Sequence, residues 1–249
     1  MLRNRSIVRF AFVGVLTATI AVAVGLSLNL ELFPVNASSE SIRDDNAVTE
    51  ACTSTFQFAF GGAGTAPGSF NQPRSVAVAS NGNIVVADTA NSRIQVFDSA
   101  GTFVRTVGTP GVSPGALNQP RGVAVTSAGN IVVADTLNNR LQVFDSAGTF
   151  VRTVSSPGVA PGSLNQPRGV AVTTAGDIVV ADTGNNRIQV FDSSGNFVRV
   201  VGGAGTGNGL FNQPGDVDIN ASGNFVVADT GNNRVQVVSP TGTFVAMIG

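Results

Sequence analysis

The side chains in this chain that could do chemistry return at a fixed interval. Arg74, Asp88 and Arg93 reappear as Arg121, Asp135 and Arg140, then as Arg168, Asp182 and Arg187. A fourth set keeps Asp229 and Arg234 but has Gly215 where the leading arginine would stand. An aspartate closing one strand beside an arginine opening the next makes a charge-assisted clasp, so these pairs (Asp88–Arg93, Asp135–Arg140, Asp182–Arg187, Asp229–Arg234) are expected to be structural. The leading arginine is expected to flank the same aspartate from the other side. Two arginines per aspartate leave positive charge over, which makes Arg74, Arg121 and Arg168 candidates to meet an anion. The fourth set inverts the sign with Asp216 and Asp218, which alternate onto one side of a strand. Those carboxylates either hold a hard cation such as calcium or form a solvated cap on a terminal repeat. Two carboxylates are too few for a metal site, so neither metal nor cofactor is expected and no catalytic residue is assigned.

Composition removes much other chemistry. All 14 basic residues are arginine, and histidine, tryptophan, tyrosine and lysine are absent. Imidazole general bases, histidine metal ligands and lysine Schiff bases are therefore excluded. The single cysteine, Cys52, cannot form an internal disulfide. A net charge of -1 gives no overall pull toward nucleic acid. With 43% hydrophobic residues, the chain is too apolar for disorder.

These residues sit inside four near-copies of one unit. Asn-Gln-Pro recurs with proline at 73, 120, 167 and 214, in units of about 70–108, 117–154, 164–202 and 211–249. Each unit has four short β-rich stretches, in the first near Arg74–Ala79, Asn83–Ala87, Arg93–Phe97 and Thr102–Val107. Asn81-Gly82 signals a two-residue hairpin turn with positive φ at both positions. The continuously apolar Ile84-Val85-Val86-Ala87 reads as a strand buried on both faces. Arg105, Arg152 and Arg199 fall on the outer stretch, where charge discourages pairing with another chain. Four antiparallel strands per unit, stacked face to face, make an all-β propeller. Between units run long Gly- and Pro-rich loops such as Gly108–Ala116 and Gly202–Leu210, and Gly203–Gly207 is read as flexible.

The unit resembles the NHL repeat in Asn-Gln-Pro-Arg-Gly-Val-Ala-Val, Gly-Asn-Ile-Val-Val-Ala-Asp-Thr, Asn-Asn-Arg-Ile-Gln-Val-Phe and Gly-Thr-Phe-Val-Arg, over residues 56–249. The resemblance implies a propeller, usually of six blades, that binds protein, nucleic acid or small ligands. A minority of the family are lyases that depend on histidine zinc ligands, which this chain lacks. The count here is four full blades plus an N-terminal strand, Phe56–Phe60, that matches the outer stretch of a blade and is expected to pair as an added strand. Such a set makes a small ring, an open arc or an assembly of chains, and closure as a strained small ring or association through the first unit is expected.

Ahead of the repeats, Arg3, Arg5 and Arg9 precede an apolar run from Phe10 to Leu28. Residues 1–37 are thus expected to be a signal peptide or signal anchor, and 38–54 a polar linker to the propeller at 55–249. The protein is expected outside the cytoplasm: secreted, periplasmic or anchored to a membrane through the N-terminal segment. The expected function is a non-catalytic binding or interaction scaffold acting through the inter-blade loop face. Its partner would be a protein or a small anionic ligand rather than nucleic acid. The competing expectation is a propeller hydrolase or lyase using a bound divalent cation.

Overall fold

A computed structural model describes residues 58–248. The expected targeting segment, the polar linker, Cys52, Phe56 and Gln57 lie outside the described residues. The rest forms four antiparallel blades of four strands each, in the order inner, second, third, outer. In the first blade these are Pro73–Val78, Ile84–Asp88, Arg93–Phe97 and Phe103–Val107. The inner strands of the later blades are Gly122–Val125, Val170–Val172 and Asp216–Ile219.

The second strand alternates onto two neighbours, and so it is apolar throughout. Val85 and Ala87 pack with Val123 and Ile131 of the next blade in one core cluster. Val132 and Ala134 pack with Val170 and Ile178 in the next, and Val179 and Ala181 with Val217 and Phe225 in the third. The hydrophobic core is therefore three slabs between blades, which is how a blade too thin to have its own interior buries apolar surface.

Hairpin chemistry differs in detail from the sequence expectation. The first turn runs from Ala79 to Asn83, closed by Ala79 N–H to Asn83 O at 2.8 Å and Gly82 N–H to Ala79 O at 2.8 Å. Gly82 has φ +84°, and Asn81 is not in the left-handed region. One glycine rather than two left-handed residues makes this turn. From the second to the third strand the chain takes a single 3-10 turn, Thr89–Asn91 in blade one, ending on left-handed Ser92. Asn139, Asn186 and Asn233 occupy that position later, and asparagine tolerates it best among non-glycine residues.

The N-terminal segment behaves differently from an added strand. Phe58–Gly62 carries no strand assignment. Its contribution is Phe60, whose ring lies 4.8 Å from Phe97 and 6.3 Å from Phe70, centroid to centroid. Phe60 packs under Gly101 as Val107 packs under Gly148 and Val154 under Gly195. A residue of the segment thus takes the place that the last outer-strand valine of a preceding blade fills elsewhere.

The array is an open arc. Val123, Val170 and Val217 on the inner strands are 3–7% exposed, while their counterpart Val76 is 63% exposed. Adjacent inner strands pack in series, and no packing of comparable extent joins the fourth blade back to the first among the described residues.

Candidate anion-binding site

The clasp is present in all four blades and is larger than an ion pair. Arg93 Nε donates to Asp88 Oδ2 at 2.7 Å, and the equivalent distances are 2.8, 2.8 and 2.7 Å for Arg140–Asp135, Arg187–Asp182 and Arg234–Asp229. Asp88 also accepts from the Asn71 backbone N–H at 2.7 Å, Asn91 Nδ2 at 2.9 Å and Gln95 Nε2 at 3.1 Å. All four aspartates are fully buried, each satisfied by the same four donors. At Asp229 burial raises the carboxyl pKa, and the bonds from Asn212 N–H, Asn232, Arg234 and Gln236 overcome it, leaving the group below the usual range.

Sequence reading missed the glutamines. Gln95, Gln142, Gln189 and Gln236 are fully buried in the third strands. Each bonds its aspartate and two consecutive residues of the inter-blade loop: Gln95 Nε2 donates to Ser69 O at 2.7 Å, and its Oε1 accepts from Gly68 N–H at 2.8 Å. Arg93 Nη2 adds bonds to Ala66 O and Ser69 O, both at 2.8 Å. The signal was available in Arg-Ile-Gln-Val-Phe, where a polar residue recurs at an inward position of an apolar strand. The loop at Gly203–Gly207, expected to be flexible, is pinned the same way by Asn232 Nδ2 to Gly205 O and Arg234 Nη2 to Gly207 O. The loop face is rigid because the clasps hold it.

The outer-strand arginines have a different task from the one expected. Arg105 and Arg152 donate through Nη2 to Ser146 O and Ser193 O of the following blade, and Arg199 Nε donates to Pro240 O at 2.8 Å. They bolt blades together. A second bolt runs from Thr89 Oγ1 to Pro120 O at 2.7 Å, repeated by Thr136 to Pro167 and Thr183 to Pro214.

Seven of the ten described arginines are thereby engaged, and Arg74, Arg121 and Arg168 are the three whose side chains make no hydrogen bond among the described residues. The expected second arm of the clasp is absent. A bulge between Pro73 and Ser75 places Pro73, not Arg74, opposite Asp88. Arg74 is released, and the three arginines line one cavity of about 240 Å³ with Asp216. Arg121 Nε and Arg168 Nε are buried without a partner. Burial first, then the like charges of Arg168 and Arg74, lower the Arg121 guanidinium pKa. Arg74 is exposed and Arg121 and Arg168 are half-buried, so three like charges converge on one concavity with no carboxylate paired to any of them.

Glycine lets the strands approach closely here. A Cβ at Gly122 would stand 2.1 Å from Arg168 O, and one at Gly169 would stand 2.1 Å from Asp216 Oδ1. Asp216 keeps one side open to solvent, yet its carboxyl is crowded by backbone. Burial first raises its pKa, the Val217 N–H opposes this, and Asp218 raises it further. Asp218 is exposed on the same strand and does not line the cavity. No group of three or more metal-ligating side chains occurs among the described residues.

A family profile for the NHL repeat matches residues 70–97, 117–144, 164–191 and 211–238, one stretch per blade from the loop entry to the end of the third strand. The chain is an NHL-repeat β-propeller protein. Over 44 residues, 18% of the chain, it is 57% identical to the B-box type zinc finger protein ncl-1 of Caenorhabditis elegans, a stretch covering 5% of that protein. Among solved structures it is similar to one from the nidogen/laminin complex, with TM-score 0.56, 19% identity, and 68% of this chain covering 61% of the other. Hydrazine synthase from Kuenenia stuttgartiensis gives TM-score 0.56 at 16% identity, with 75% of this chain covering 52% of that one. Virginiamycin B lyase from Staphylococcus aureus gives 0.54 at 16%, with 70% covering 54%. The NHL chain spans about half to three-fifths of these structures, and at such identity the likeness is one of fold.

Proposed function

We propose that this NHL propeller is an exported, non-catalytic binding scaffold whose rigid loop face engages an anionic partner through Arg74, Arg121 and Arg168. One observation carries the reading: of the ten described arginines, these three are the ones whose side chains make no hydrogen bond or ion pair among the described residues, and they share a cavity. The remaining arginines hold loops or join blades, which supports recognition on a fixed surface. Export rests on Arg3, Arg5, Arg9 and the apolar run that follows.

Titration calorimetry of the full chain with inorganic phosphate at low ionic strength tests the site. Binding should weaken at least tenfold in Arg121→Gln, with the melting temperature preserved. Equal affinity in the two proteins would remove the arginines from the site. A second reading, a cation-dependent hydrolase or lyase, has one observation in its favour: Asp216 and Asp218 lie side by side on an accessible strand. Calcium that raised the melting temperature of the parent but not of Asp218→Asn would support it.

A further inference from the structure

The cavity is not uniformly positive. Blades one to three each contribute an unpaired arginine, while blade four contributes Gly215 and, beside it, Asp216. The Asp216 carboxylate rests on Gly169, the residue directly after Arg168, and yet no ion pair forms between Asp216 and any of the three arginines. Opposite charges that share one cavity without neutralising each other leave two kinds of unmet demand: for acceptors along the arginines, and for a donor at the blade-four end. The same arrangement works against a plain polyanion, because a run of phosphates laid across the arc would meet the carboxylate at its far end.

We infer, building on the anion-binding reading above, that the cavity selects a small zwitterionic ligand: a phosphate or carboxylate group held by Arg74, Arg121 and Arg168, and an amine held by Asp216. The volume of about 240 Å³ suits a compact molecule. The inner strands that carry or adjoin these residues pack on one another in series, so the fold sets the spacing of the backbone positions from which the two charges project, and charge spacing becomes a criterion of selection. The crowding that raises the Asp216 carboxyl pKa also favours an incoming ammonium group, which relieves the unfavourable ionised state.

Calorimetric titration of the full chain with O-phosphoethanolamine and with ethyl phosphate tests this at one pH and ionic strength. The two esters have similar size, and only the first carries an amine. O-phosphoethanolamine should bind about tenfold more tightly. Asp216→Asn should erase the difference, and so should Asp216→Gly, which restores the residue found at the matching positions 122 and 169 and is compatible with the strand. Equal affinity for both esters in the parent protein, with Arg121→Gln still weakening both, would overturn the zwitterion selection and leave the anion site standing. Absence of binding by either ester would overturn both readings.

Discussion

Asp135 has no exposed surface and accepts from Asn118 N–H, Asn138, Arg140 and Gln142. Removing it takes the counter-charge from the nearly buried Arg140 guanidinium, leaves its Nε without an acceptor, and strips one bond each from Gln142, Asn138 and the Asn118 N–H. Asp135→Ala should cost about 3–5 kcal/mol by denaturant melting. Arg105→Ala loses one bond from a half-buried side chain and should cost about 1 kcal/mol. Equal costs would contradict the hierarchy of the two networks. Asp216 gives the opposite sign. Its folded-state pKa is raised, so its ionisation opposes folding: the stability it permits is full below the unfolded pKa and is lost as pH rises through the folded pKa. Asp216→Asn should melt higher than the parent at pH 7, and the gain should fade below about pH 4. At this scale the sequence was half legible. The aspartate–arginine pairs followed from strand order alone. The buried glutamines did not, because an apolar strand with one polar residue reads equally as a half-exposed strand. Nor did the release of Arg74, which depends on a bulge that shifts register by one residue.

Elements are joined by contacts that the fourth blade cannot repeat. Thr136 Oγ1 donates to Pro167 O at 2.8 Å, whereas Thr230 has only Ala228 O of its own blade, at 3.4 Å. Thr136→Val should therefore cost about 1 kcal/mol and Thr230→Val close to nothing in matched thermal melts. Glycines divide the same way. Gly122→Ala drives a methyl group to 2.1 Å from the Arg168 carbonyl, while Gly203→Ala meets nothing within 4 Å. The first should lose about 1–3 kcal/mol and weaken phosphate binding by displacing Arg168, and the second should do neither. The strands themselves were readable from period and turn residues. The pinning of the inter-blade loops was not, since glycine-rich composition says nothing about hydrogen bonds arriving from distant side chains.

For the whole molecule, repetition made the architecture legible, because four copies of one pattern exclude most other folds. Closure was less so. The residues facing the next blade are the same in a ring and in an arc, and only exposure separates the two. Val76 and Val78, at 63% and 67% exposed, mark an inner-strand face without a neighbour. Val76→Ala should change stability by less than about 0.5 kcal/mol, whereas Val123→Ala, at 4% exposed, should cost about 2 kcal/mol. Similar losses at the two sites would mean that blade one is covered in solution.

The interchangeable joints bear on how such a gene can change. A threonine of blade one that donates to Pro120 O would find Pro167 O in the same place if the second unit were lost, and each outer arginine would still find a turn carbonyl. Unequal crossing-over between near-identical repeats would thus yield shorter or longer arcs with every seam intact. Each middle unit gained or lost would add or remove one cavity arginine, while the single aspartate at the end stayed fixed. Copy number would then tune the charge of the binding surface in whole steps without any point mutation.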